Sequence, residues 1–315
     1  MLDTIDPELG GFARTARDLV LAGGKRLRPT FAYWGWRGVA GPAEPAEPLL
    51  PALGALELMH TFALVHDDLM DDSATRRGRP TAHRIFAGRH GERFGNSAAV
   101  LIGDLCLVWA DQLLARTPVP PATLLEVRAR YDRMRVEAVA GQYLDVLGET
   151  APGDWSLERA LLVARHKTAS YTVQWPLSFG LALAGGCHPS VGEAYRVYGL
   201  AVGEAFQLRD DLLGVYGDPA VTGKPAGDDL RTGKPTALLM LARQMARPAQ
   251  LDELATAGPE RQAQIIAETG APARVEELIR ARVAEGLTAL AGAPIEPEAR
   301  ATLIELATVA THRPA

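Results

Sequence analysis

The segment LVHDDLMDD, from Leu64 to Asp72, places Asp67, Asp68 and Asp71 within five residues of one another. On a helix of 3.6 residues per turn, Asp67 and Asp71 are about 40° apart and one turn removed, so both carboxylates project from one face. His60 lies on that face two turns earlier. Clustered carboxylates repel unless a cation sits between them, and hard oxygen donors of this kind suit Mg²⁺ bridging to substrate phosphates. An acidic pair on a helix is usually solvated surface. Here the preceding segment is apolar, and Arg76 and Arg77 follow at once. Their fork-like donors can grip phosphate oxygens, so the combination points to a metal–diphosphate site.

A second acidic stretch, QLRDDLLG, spaces Gln207, Asp210 and Asp211 along one helical face. It is followed by a glycine-rich basic loop, VTGKPAGDDLRTGKPT, whose amides and lysines can wrap phosphates. The loop is not a Walker P-loop: Lys234 is followed by Pro235, and no strand signal precedes it. Of the 33 basic residues, 29 are arginine and only four are lysine: Lys25, Lys167, Lys224 and Lys234. All four stand in candidate anion sites. Lysine kept at these places against an arginine background suggests a need for a compact ammonium beside a diphosphate.

These motifs must be positioned by helices. Segments longer than ten residues show helical periodicity, as in Val275, Leu278, Ile279, Val283, Leu287 and Leu290, and clear strand signals are missing. Breaks are expected at the Pro/Gly clusters beginning at Gly41, Arg116, Gly148, Gly185 and Ala291, and Ser190 with Glu193 fits a capping box. No break reads as a long linker, so residues 1–315 are expected to form a single all-α domain, a bundle of roughly ten or more helices.

Composition excludes several functions. A net charge of -5 argues against nucleic-acid binding. The acidic N-terminal segment lacks a signal-peptide pattern, so a cytoplasmic protein is expected. The longest uncharged run, Thr168 to Cys187, carries too many polar residues for hydrocarbon and reads as a buried helix, with no stable membrane insertion. Cys106 and Cys187 have neither metal nor redox spacing and read as small buried hydrophobes.

The sequence resembles the trans-isoprenyl diphosphate synthases, which include farnesyl and geranylgeranyl diphosphate synthases. The resemblance runs from Gly23 to about Ala237, with several motifs in the family's order. It implies an isoprenoid synthase fold around a central cavity, condensation of isopentenyl diphosphate with an allylic diphosphate, about three Mg²⁺ ions, and a homodimer. GGKRLRP is similar to the family's basic loop, which implies that Lys25 and Arg28 hold isopentenyl diphosphate together with His60 and Arg77. DDLMD implies metal ligation by Asp67 and Asp71, with Asp68 in support and Arg76 on the allylic diphosphate. GQYLD places Gln142 and Asp145 near the cavity, and HKT places Lys167 and Thr168 beside the allylic ionisation centre. Gln207, Asp210 and Asp211 match the second motif, with Asp210 a metal ligand, and Lys224 and Lys234 match the loop closing on the diphosphate. Phe62 and Ala63, five and four residues before Asp67, match positions that limit product length; an aromatic residue at the first alone implies a twenty-carbon product, with farnesyl or longer products as alternatives.

One departure stands out: Gly214 replaces the last aspartate of the second motif. If this is a tolerated variation, restoring the carboxylate should preserve or raise activity. The departure also keeps open a non-catalytic subunit that shapes a partner synthase. A terpene cyclase of the same fold would need no second diphosphate site, against GGKRLRP and Arg77.

Overall fold

The structure, a computed structural model, describes residues 2–150, 155–218 and 227–312; Lys224 lies outside them. The chain divides into two compact units, Met1–Thr30 with Pro45–Leu124 and Phe31–Glu44 with Leu125–Ala315.

The first unit contains α1 (Leu2–Ile5), α2 (Leu9–Leu21), the opening turn of α3 (Leu27–Ala40), α4 (Leu50–Met70), α5 (Ala82–His90) and α6 (Glu92–Ala115). A 3₁₀ turn, Glu47–Leu49, leads into α4, and Pro51 occupies its first turn, where a missing amide hydrogen costs nothing. α4 packs along α6, whose buried face is built from Ala98, Ala99, Ile102, Gly103 and Cys106. Small residues there let the two backbones approach, and Phe86 and Val65 fill the remaining space. By length and composition alone, Glu47–Met70 and Glu92–Ala115 could each cross a membrane. Both are partly buried, and they spend apolar surface on each other.

The second unit holds the rest of α3, then α7 (Pro121–Thr150), α8 (Leu157–Val163), a π-helix (Ala164–Gln174), α9 (Trp175–Leu183) and α10 (Pro189–Tyr216). It closes with α11 (Asp228–Arg231), α12 (Ala237–Met245), α13 (Pro248–Thr256), α14 (Pro259–Thr269), α15 (Ala271–Ala291) and α16 (Pro297–Thr311). α10 is its centre, packed by the π-helix, α9 and α15. Leu208 and Leu212 of α10 meet Leu238, Ile265, Val275 and Ile279 in one apolar cluster. The buried Tyr198 hydroxyl donates to the Leu303 carbonyl at 2.6 Å, satisfying a group that would otherwise be costly to bury.

The helical reading is borne out, and the breaks at Gly41, Arg116, Gly185 and Ala291 fall between helices. α7 ends at Thr150, inside the cluster that begins at Gly148. Three details differ. The expected capping box at Ser190 does not form: Pro189, pre-set for a first turn, starts α10 after His188, and Glu193 pairs with Arg196 instead. A two-stranded hairpin, β1 (Thr75–Arg76) with β2 (Arg79–Pro80), is present; two residues per strand are too few to show alternation. Cys106 is buried but Cys187 is exposed, because it follows Gly185 and Gly186, whose φ of 72° and 73° turn the chain outward after α9.

Candidate active site

In the first unit, α4 carries His60, Phe62, Ala63, Asp67 and Asp68, and the helix ends at Asp71, whose amide still bonds the Asp67 carbonyl at 2.9 Å. Asp67 and Asp71 therefore do project one turn apart, both half-buried. Asp68 is buried and points elsewhere. Arg76 Nε donates to both its oxygens at 2.8 Å, and Arg76 Nη2 stands 3.4 Å from Asp67 Oδ2. Asp68 thus fixes Arg76 beside Asp67.

Arg77 sits at the tip of the hairpin with φ 54°, followed by Gly78 at 72°, the left-handed pair that a tight two-residue hairpin demands. Arg26 and Asp72, both at φ 49°, are the other non-glycine residues in this region of φ among the described residues. All three flank candidate site residues, where such strain tends to collect. Arg77 donates to the Gly23 carbonyl, which ties the hairpin to the GGKR loop carrying Lys25. Burial, followed by the positive charge of Arg28, Arg77, Arg76 and Arg26, holds the His60 imidazole well below its ordinary pKa. His60, Arg28 and Arg77 are thus brought together, with His60 neutral among cations. A cavity of about 330 Å³ opens beside them, lined in part by Thr61, Leu64, Asp68, Arg76 and Arg77. Phe62 packs edge-on against His66, ring centroids 4.7 Å apart, and joins the apolar cluster around Ile102.

In the second unit, a cavity of about 70 Å³ gathers Asp145, Lys167, Thr168, Gln207, Asp211 and Lys234. These residues come from α7, the π-helix, α10 and the turn after α11. Asp145 Oδ2 accepts from Lys167 and from Lys234, the latter at 2.8 Å, and Glu149 stands 3.7 Å from Lys234. Burial alone would raise the Asp145 carboxyl, but the two ammonium groups outweigh it and hold it below the usual carboxylate range. Thr236 caps α12 by accepting from the Leu239 amide, which fixes the turn that presents Lys234. Gln142 and Asp210, both half-buried, do not line this cavity.

Asp210 and Asp211 are chemically different despite being neighbours. Burial pushes Asp211 up to about 7; hydrogen bonds from Gln207 Nε2, at 2.8 Å, and the Ala237 amide, at 3.1 Å, pull it back, while Asp229 and Asp210 add repulsion. Both Asp211 oxygens thus accept hydrogen bonds, one from Gln207 and one from Ala237. Among the described residues no three His, Cys, Asp or Glu side chains converge as a ready cage. Mg²⁺ held through one or two carboxylates and substrate phosphates needs none, so the oxygen donors present fit it. Sequence reasoning missed Asp229, which lies in the basic loop but was given no role there, and Glu149, near the end of α7.

The sequence profile of the polyprenyl synthetase family matches residues 11–269. The chain belongs to that family. As a polyprenyl synthetase it is a trans-prenyltransferase of all-α fold, and solved structures agree. Geranylgeranyl pyrophosphate synthase from Corynebacterium glutamicum, solved with isoprenyl diphosphate and magnesium, is 40% identical with a TM-score of 0.93, covering 99% of this chain and 93% of that one. Octaprenyl diphosphate synthase of Escherichia coli is 34% identical over 239 residues, 76% of this chain and 68% of its own length. Geranylfarnesyl diphosphate synthase of Aeropyrum pernix is 32% identical over 265 residues, 80% of this chain and 78% of its own. The relatives' names thus agree on reaction class and differ in chain length.

Proposed function

We propose that this polyprenyl synthetase joins isopentenyl diphosphate to an allylic diphosphate and stops at geranylgeranyl diphosphate, twenty carbons long. The observation that carries the reading is the cavity where Asp145 holds Lys167 and Lys234 beside Thr168, Gln207 and Asp211. Two ammonium groups gathered on one carboxylate form a seat that a diphosphate can take over. Lys167, Thr168 and Lys234 then hold the allylic diphosphate as its C–O bond breaks, and the leaving group takes the electron pair. His60, Arg28, Arg77 and Lys25 hold isopentenyl diphosphate so that its double bond attacks the allylic carbon. A C–C bond forms, and transfer of a proton from the new cation to the released diphosphate restores the double bond. Bound magnesium, about three ions with Asp67, Asp71 and Asp210 as assigned ligands, would neutralise charge developing on the leaving diphosphate.

A single synthase domain is favoured because the family profile spans both units. A homodimer is favoured by α6, which exposes Phe94, Leu101 and Val108, 47%, 58% and 52% accessible, along one face. A cytoplasmic setting suits two free cysteines. The steady-state test replaces one residue of each set: Lys167→Ala should raise KM for the allylic substrate and Arg77→Ala KM for isopentenyl diphosphate. The assignment fails if the two substitutions raise the same KM.

A further inference from the structure

The π-helix that carries Lys167 and Thr168 runs for 11 residues, an uncommon length for a conformation that usually appears as a single widened turn. Its seat is made of glycine. A Cβ on Gly141 of α7 would lie 2.3 Å from the Lys167 amide nitrogen and 2.7 Å from its Cα. A Cβ on Gly203 of α10 would lie 2.5 Å from the Ala169 Cα, and one on Gly199 would lie 2.4 Å from the Gln174 Cα. The atoms met are backbone, so no rotamer change relieves the overlap; the π-helix itself would have to move. Gly141 stands one turn before Asp145, and Gly203 stands one turn before Gln207 and two before Asp211. The helices that supply the groups facing the lysines therefore also fix, one turn away, how closely the π-helix lies against them.

We propose that Gly141 and Gly203 are positioning residues for prenyl transfer: they set the depth of the π-helix, and thereby place Lys167 and Thr168 against Asp145, Gln207 and Asp211. The proposal rests on the reading that Lys167 and Thr168 hold the allylic diphosphate. A displacement of about 1 Å at a reacting group costs on the order of 10²-fold in rate. Displacing the π-helix would move Lys167 and Thr168 together, while Arg77 and His60 belong to the other unit.

The control is Gly286 of α15, where the three atoms nearest an added Cβ all belong to Val202 and Tyr198 of α10, the nearest being Val202 Cγ2 at 3.1 Å. Gly141→Ala, Gly203→Ala and Gly286→Ala are each assayed below their own unfolding midpoints, with two readouts. One is kcat and KM for both substrates. The other is the rise in unfolding temperature produced by inorganic pyrophosphate with magnesium. Gly141→Ala and Gly203→Ala should lose about 100-fold in kcat/KM for the allylic substrate, keep the KM for isopentenyl diphosphate, and lose the pyrophosphate-induced rise. Gly286→Ala should lose stability alone. If Gly203→Ala does not fold, Gly141→Ala carries the comparison. Equal kinetic and pyrophosphate losses in Gly141→Ala and Gly286→Ala would overturn the positioning role. Should the wild type make no prenyl diphosphate, the functional reading fails, whereas the pyrophosphate comparison still decides whether the glycine seat places Lys167.

Discussion

The carboxylate of Asp229 occupies the space beside Gly214: a Cβ at position 214 would stand 2.2 Å from Asp229 Oδ2 and 3.0 Å from its Cγ. The Gly227 amide bonds the Gly214 carbonyl at 3.0 Å, and the Lys234 amide bonds the Asp229 carbonyl at 2.9 Å, so one short turn links Gly214, Asp229 and Lys234. The aspartate missing from the second motif thus leaves room for another acid arriving from the following loop.

Gly214→Asp should consequently be harmful, against the expectation from sequence alone that restoring the carboxylate preserves or raises activity. The new side chain overlaps Asp229 and sets two like charges together, a cost of about 1–3 kcal/mol. The double variant Gly214→Asp/Asp229→Gly should recover part of both losses. Urea unfolding and turnover check this; a single variant as stable and active as the wild type contradicts it.

Asp67→Ala and Asp71→Ala should each lower turnover by about three orders of magnitude, roughly 4 kcal/mol of transition-state stabilisation, with little change in unfolding midpoint. Both side chains are half-buried at the helix end rather than in the core. Near wild-type turnover in either variant removes its carboxylate from the metal set.

Lys234→Arg should cut kcat/KM at least tenfold, about 1.4 kcal/mol. The ammonium sits between Asp145 and Glu149 at 2.8 and 3.7 Å, in a cavity of about 70 Å³. A planar guanidinium is too wide for that position. Unchanged kinetics for arginine at both Lys167 and Lys234 would show that charge alone suffices.

Asp145 should shape the acid limb of stability. Its folded pKa is depressed, so its contribution is fully present above the unfolded value of about 3.9 and is lost as pH falls through the lower folded value. Asp145→Asn leaves two half-buried ammonium groups without their shared carboxylate and should cost about 2 kcal/mol at pH 7. Unfolding measured at a series of pH values should show the gap between wild type and variant holding down to about pH 4 and closing below it. A gap that stays constant further into acid contradicts the depressed pKa.

Product length should respond to the two residues before the first motif. Phe62→Ala should shift products beyond twenty carbons, and Ala63→Phe should shift them to fifteen. Phe62 packs on His66 and within the cluster around Ile102 rather than beside Asp67, so its removal opens space along α4 toward α6. Product profiles at equal substrate ratios check both; no change in either places the length-limiting wall elsewhere.

The fold class was legible because amphipathic periodicity and Pro/Gly breaks are local properties, as the helix from Ala271 to Ala291 illustrates. Asp67, Asp71 and Arg76 were legible for the same reason: their spacing on one helix and its following turn decides their geometry. The π-helix was not, since it lies against glycines at positions 141, 199 and 203, outside its own segment of sequence. Asp145 appeared only as the end of GQYLD; its service to two lysines depends on residues 22 and 89 positions later, Lys167 and Lys234. Asp229 stood in the basic loop with no role assigned to it, and the space beside Gly214 gives it one.

The most direct test of the account is incubation of the purified protein with Mg²⁺, labelled isopentenyl diphosphate and, in parallel, dimethylallyl, geranyl and farnesyl diphosphates, followed by sizing of the products. The account predicts magnesium-dependent incorporation of label, with geranylgeranyl diphosphate as the main product. No prenyl diphosphate from any of the three primers, with the protein folded and magnesium present, would contradict it.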